Sequence, residues 1–199
     1  MDTYFTIESN AIAEYKDRGS RFLAHSFPLK DAVNLKKHLQ QLKKEHPKAA
    51  HYCFGYRIGI DGNNFRSSDN GEPAGTAGKQ ILGQIDSKNL TDILIIVVRY
   101  FGGTLLGVPG LINAYKTSSS LVLQCTPVVQ KAIEIRYELH FNYTEINEIM
   151  RIIKQYNCTI HKNEMQLFCK IEIGIPKNKI EEITASLSDI KNLEIHKSN

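Results

Sequence analysis

The sequence predicts an α+β protein built as two domains, and three observations carry that prediction. Ile93 to Val98 is an apolar run without alternation, the pattern of a strand covered on both faces. Around it lie apolar stripes at three- and four-residue steps, so helices are expected to sandwich a sheet. Beyond Thr126-Pro127 the rhythm changes to strand, helix, strand, strand, helix, strand. That order is the ferredoxin-like βαββαβ plan, an antiparallel sheet backed by two helices in about seventy residues. The division expected is an N-terminal α+β sandwich over residues 1–128 and a ferredoxin-like domain over residues 129–199. With 42% hydrophobic and 23% charged residues, 13 Gly and 6 Pro in 199, the composition excludes collagen-like, low-complexity and disordered chains.

In chain order, Ala11 to Tyr15 and Ser20 to Ser26 flank the polar turn Lys16-Asp17-Arg18-Gly19 and read as a β-hairpin. Ala32, Leu35, Leu39 and Leu42 recur at helical spacing until Pro47 stops the pattern. His51 to Ile60 alternates, sending Tyr52, Phe54, Tyr56, Ile58 and Ile60 to a core face and His51, Cys53, Gly55 and Arg57 to the other. Ser67 to Lys79 holds too many turn formers to be regular and leads into apolar Ile81, Leu82 and Ile85, a shaped loop entering a helix. Arg99 to Gly110 joins the central strand to a second helix, with Leu111, Ala114, Tyr115, Ser118 and Val122 as its buried stripe. In the second domain Ile133, Ile135, Tyr137 and Leu139 alternate as a strand, and Ile146, Ile149, Met150 and Ile153 stripe a helix. Cys158 to His161 and Gln166 to Ile173 are short strands; Pro176 opens a helix carrying Ile180, Ile183 and Leu187; Leu193 to His196 closes the sheet.

The longest apolar stretch is six residues, far below the roughly 20 that span a bilayer, and no basic start precedes an apolar signal segment. A cytoplasmic protein with no membrane partner is expected. Cys53, Cys125, Cys158 and Cys169 form no CxxC pair, so neither a disulfide framework nor structural zinc is signalled, and the last three read as packing. No cofactor and no metal set is predicted. The net charge of +4 is concentrated: residues 1–50 hold nine Lys/Arg against six Asp/Glu, whereas residues 117–199 hold ten against ten. Lys36, Lys37, Lys43 and Lys44 lie on the outer face of the first helix and are candidates for steering a polyanion toward the protein.

The two loops carry the candidate chemistry. Gly75-Thr76-Ala77-Gly78 puts backbone N–H groups at a helix start, where the dipole favours an anion, with Lys79 adjacent. A nucleotide P-loop is excluded, because Pro73 replaces the leading glycine and Gln80 the Ser/Thr. The second loop, with Gly102, Gly103, Gly107 and Gly110, is not GxGxxG; its glycines serve either positive φ and close packing or an anion. If both loops meet at one end of the sheet, His51, Arg57, Glu72 and Arg99 line one cleft. Glu72 is read first as a cap for the Gly75 to Gly78 turn and second as a general base. His51 and Cys53 sit two apart on one strand, about 6.6 Å, too far for a catalytic dyad. No catalytic residue is assigned.

Together the blocks Asp69-Asn70-Gly71-Glu72-Pro73-Ala74-Gly75-Thr76-Ala77-Gly78 and Val98-Arg99-Tyr100-Phe101-Gly102-Gly103, then Gly107, Gly110 and Ala114-Tyr115, closely resemble the IMPACT/YigZ family. Ser20-Arg21-Phe22 and His51-Tyr52-Cys53 match its other signature blocks. The resemblance implies an N-terminal fold shared with a ribosomal small-subunit protein and an elongation factor G domain. It implies a C-terminal domain similar to another domain of that factor, and a theme of translation without an established reaction. Eukaryotic relatives act through a kinase-linked partner held by a further N-terminal domain, which has no counterpart here, so that partner is not carried over. Asn70, Pro109 and Asn113 depart from the family pattern of acid, glycine and basic residue. The expected function is a translation-linked regulatory protein binding RNA or the ribosome weakly, with a translation-machinery protein as a possible partner. Arg21, His51, Arg57, Glu72, Lys79, Arg99 and the loop residues Gly75, Thr76, Gly78, Gly102, Gly103, Gly107 and Gly110 are its candidate site. The alternative is an enzyme or sensor holding a phosphorylated metabolite in the same cleft.

Overall fold

The computed structural model describes residues 2–166 and 168–198; Leu167, within the strand expected over Gln166 to Ile173, lies outside the described residues. They form two units, residues 4–131 and residues 132–198 with residues 2–3. Both mix helices with antiparallel sheet, the α+β class expected.

The first unit contains β1 (Thr3–Ile7), β2 (Ala11–Asp17), β3 (Ser20–Pro28), α1 (Val33–Glu45), β4 (His51–Ile58), β5 (Asn64–Ser68), α2 (Gly78–Ser87), β6 (Ile93–Tyr100), α3 (Gly107–Cys125) and β7 (Val128–Ala132). Five strands form an antiparallel sheet ordered β2-β3-β6-β4-β5, while β1 pairs with β7. The β2–β3 turn is two residues, Arg18 and Gly19, at φ 44° and 82°, the geometry of a type I′ hairpin. It is shorter than the polar segment predicted, because Lys16 and Asp17 stay in the ladder opposite Arg21 and Ser20.

As its sequence requires, β6 is central and buried on both faces. Ile93, Ile95 and Val97 join Phe22, Ala24 and Cys53 under Ile81 and Ile85 of α2 and Ala114, Tyr115 and Val122 of α3. Leu94, Ile96 and Val98 join Phe27, Tyr52, Phe54, Tyr56 and Ile58 under Leu35 and Leu42 of α1. Each such side chain contributes about 1.5–3 kcal/mol of apolar burial, so β6 anchors this unit. Three readings are corrected. β5 is an edge strand in what was expected to begin as loop; Ile60 lies beyond β4 and is exposed; Cys125 is exposed rather than packed.

The second unit runs β8 (Glu134–Asn142), α4 (Ile146–Gln155), β9 (Thr159–Glu164), β10 (Phe168–Pro176), α5 (Ile180–Ser188) and β11 (Glu194–Lys197), with sheet order β11-β8-β10-β9. This is the ferredoxin-like arrangement: the two α-helices cover Leu139, Phe141, Cys169, Ile171, Ile173 and Ile175. The opposite face is polar and internally paired, with Lys170 to Glu138 at 2.8 Å and Arg136 to Glu172 at 3.1 Å.

One core histidine makes the first unit acid-sensitive. His25 on β3 is 6% exposed, parallel to Phe27 at 6.2 Å and edge-on to His46 at 5.8 Å, and its Nε2 has no hydrogen-bond partner among the described residues. Burial, then the charge of His46, lowers its pKa from 6.5 to about 4. The unfolded chain therefore takes up a proton near pH 6.5 while the folded chain does so near 4. Between those values the unfolded state binds more protons, so stability is full above pH 6.5 and falls by about 3 kcal/mol as pH drops toward 4. Urea midpoints from pH 7.5 to 4 should show this decline, and His25→Phe should lessen it, leaving the smaller part due to His38, whose pKa burial also lowers.

Candidate functional site

The two glycine-rich loops meet at one end of the five-stranded sheet. The register sets His51 of β4 and Phe22 of β3 on either side of Arg99 of β6, and Arg21 beside Tyr100. Arg99 there projects from the C-terminal end of β6 toward the segment between β5 and α2. Its Nη1 donates to Glu72 Oε1 at 2.6 Å, with side chains only 6% and 3% exposed. The Tyr115 hydroxyl of α3 donates to the same oxygen at 2.7 Å, and His51 Nε2 lies 3.9 Å from it. Cys53 Sγ contacts the Tyr115 hydroxyl at 3.3 Å and donates to Asp69 O at 2.9 Å.

Burial pushes the Cys53 thiol up to about 12 and raises the Tyr115 hydroxyl as well, so both stay protonated at neutral pH. Cys53 is thus no thiolate nucleophile. His51 Nδ1 is turned to Asn70 O at 2.8 Å, not to the sulfur. The arrangement fixes the loops against the sheet through one carboxylate, Glu72, that receives an arginine and a tyrosine.

Asp69 supplies what was expected of Glu72. Its Oδ2 accepts the Gly75 N–H at 2.9 Å, and its Oδ1 accepts Ala77 and Gly78 N–H at 3.0 and 2.8 Å. The start of α2 therefore holds the chain's own carboxylate, and the N–H groups of Gly75 and Gly78 are not free for a phosphate. Thr76 Oγ1 turns inward to Pro73 O at 2.7 Å. Asn70, at φ 44°, accepts the Tyr52 N–H through Oδ1 at 2.7 Å, so this departure from the family pattern is a scaffold contact.

Arg57 does not join the cleft. Six residues from His51 along β4, roughly 20 Å at strand rise, it binds Asp86 Oδ1 at 2.8 Å beside the Phe65 ring. Arg21 stays near the site, pairing with Glu14 at 2.6 Å and lying over the Tyr100 ring at 5.8 Å. Lys79 is exposed on the first turn of α2. Lys36, Lys37, Lys43 and Lys44 are exposed on α1, on the sheet face opposite α2 and α3. The last turn of α1 reaches the same sheet end, where His46 Nδ1 lies 3.0 Å from the Tyr100 hydroxyl. Lys43 and Lys44 are accordingly nearer the loops than Lys36 and Lys37.

In the second loop the glycines are mainly conformational. Gly103 and Gly107 have φ 84° and 70°, a Cβ at Gly110 would stand 2.9 Å from that of Leu106, and Gly102 is pressed against the β2–β3 turn. The α3 helix has no side-chain N-cap among the described residues and no acidic residue in its first turn, where Pro109 lacks an N–H that would have no helical partner. No carboxylate occurs between Asp92 and Glu134. Phe101, Leu105 and Val108 are 53%, 81% and 51% exposed. The sequence places Phe101, with Tyr100, near the cleft, but does not single out Leu105 and Val108, since isolated apolar residues read as core. Among the described residues no group of three or more His, Cys, Asp or Glu could hold a metal ion, and no helix is long and apolar enough to cross a membrane.

A glycine-looped α+β sandwich followed by a ferredoxin-like unit, with its loops locked by a buried Glu–Arg–Tyr contact, defines the class of protein. The family model for the Impact N-terminal domain matches residues 18–123. The chain is 33% identical over 176 residues to IMPACT family member YigZ of Escherichia coli (strain K12), covering 87% of this chain and 85% of that one. The chain belongs to the IMPACT family. A crystal structure described only as that of a hypothetical protein superposes with a TM-score of 0.80 at 28% identity, covering 100% of this chain and 98% of that one. A structure titled as that of the two-domain translational regulator Yih1 matches at 25% identity over 61% of this chain and 47% of its own. Its TM-score is 0.36.

Proposed function

We propose that this chain is a cytoplasmic regulator of translation that contacts RNA or the ribosome through the sheet end where the two loops meet. Membership of the IMPACT family supports the translational theme, and one observation favours a polyanion there. The loop between β6 and α3 and the α3 helix contain no carboxylate, and Lys116 is exposed on α3. Exposed Lys79 stands on the first turn of α2 and exposed Lys43 and Lys44 on the last turn of α1, while Arg21 is paired with Glu14. A small anionic metabolite is the weaker reading, because Arg99 and Glu72 neutralise each other and Arg57 stands away.

Co-sedimentation with ribosomes and subunits across a salt series tests the proposal. Binding should be weak and decline with salt, as phosphate contacts require. Lys43→Ala with Lys44→Ala should weaken it about fivefold at the lowest salt, in proportion to lost phosphate contacts, and Lys36→Ala with Lys37→Ala should do less. A protein that stays in the soluble fraction at every salt concentration refutes the proposal.

A further inference from the structure

We infer that the exposed Phe101 ring is a stacking platform for an unpaired nucleobase, so that the RNA form this sheet end takes is single-stranded; the inference rests on the RNA reading above. Phe101 is more than half exposed, as are Leu105 and Val108 further along, yet it is held from behind. The Arg99 guanidinium lies 5.9 Å from its ring centroid and is itself fixed by the buried Glu72 carboxylate. The next residue, Gly102, donates its N–H to Ser20 Oγ at 3.2 Å and has no room to move toward the Gly19–Ser20 backbone. A ring so placed loses little freedom when a base covers it, and the cation behind it leaves the outer face for stacking.

The surroundings suit a nucleic acid strand better than a protein groove. The first turn of α3 carries no acidic residue, the Glu72 and Glu14 carboxylates at this sheet end are each paired with an arginine, and Lys79 is exposed at the other loop. Base stacking needs the flat π-face of an aromatic residue, whereas an apolar pocket on a protein accepts any bulky hydrophobe. That difference separates the two partners experimentally.

The test is fluorescence anisotropy at low salt, with a labelled uridine dodecamer and with a labelled RNA duplex of the same length, on the full chain and its variants. Phe101→Ala and Phe101→Leu should each weaken binding of the dodecamer about tenfold, as loss of one stacked base does, while Phe101→Trp should keep it. The chain contains no tryptophan, so Phe101→Trp also installs a single reporter, whose emission should be quenched as the dodecamer is added. The duplex should bind more weakly than the single strand. Full binding by Phe101→Leu, an unquenched reporter, or equal affinity for duplex overturns the inference and leaves the RNA reading in place. If the unaltered protein binds neither RNA, both fall. Thermal unfolding of the variants close to that of the unaltered protein shows that an exposed position was changed without loss of fold.

Discussion

Glu72→Gln is expected to destabilise the first unit by about 3–5 kcal/mol, the cost of leaving a buried charge without its partner. The amide keeps an acceptor for the Tyr115 hydroxyl but withdraws the charge that balances Arg99, whose side chain is 6% exposed and whose Nε has no partner among the described residues. Arg99→Met should cost a similar amount from the other side, since the Glu72 carboxyl is then left at 3% exposure with only the tyrosine and a more distant His51. Removing both charges together, as Glu72→Leu with Arg99→Met, should be far less harmful than the sum of the single changes. Buried ion pairs are costly to break and roughly neutral to replace by well-packed apolar groups. Urea midpoints for the unaltered protein, Glu72→Leu, Arg99→Met and the double variant close the cycle and measure the coupling directly. Additive losses would show that the pair does not hold the loops, and would leave Phe101 and Gly102 without the anchor assigned to them.

The parts of this architecture that were legible in sequence are those fixed by local pattern. β6 announces itself because a strand buried on both faces needs no alternation, and the βαββαβ order follows from apolar period alone. β5 was missed because an exposed edge strand has no apolar face to reveal it. The site was legible in its residue types but not in its wiring. Asp69 precedes Gly78 by nine residues, so a cap that reaches back along a loop is invisible to rules that look immediately before the helix, where Ala77 offers no side-chain oxygen. Arg57 was assigned the correct face of β4, yet the same period-2 rule carries no information about distance along the strand from the loops. The meeting of the loops depends on β6 lying between β3 and β4, a sheet order that no local pattern encodes.

Gly102→Ala is expected to be the most damaging single methyl addition in the chain, costing about 4 kcal/mol or more, beyond the usual range for overpacking. The new Cβ would lie 1.9 Å from Gly19 C and 2.1 Å from Ser20 N, contacts with backbone rather than with the end of a flexible side chain. The backbone it meets is a two-residue turn at positive φ, which has little freedom to yield, and Ser20 in turn holds the Gly102 N–H. Two other glycines provide the scale. At Gly103 a Cβ meets nothing within 4 Å but φ is 84°, so alanine there should cost about 1–2 kcal/mol of backbone strain. At Gly83, inside α2 with open space around it, alanine should stabilise by about 0.5–1 kcal/mol through helix propensity. The order Gly102, Gly103, Gly83 in denaturant midpoints, from loss to gain, separates steric contact from backbone conformation. It also bears on function, since the contact that forbids a methyl at Gly102 is the one that fixes the position of Phe101. A milder crowding of the turn, Ser20→Thr, should therefore disturb loop contacts with RNA before it disturbs the fold. Anisotropy and unfolding measured on that same variant would show whether the two effects part.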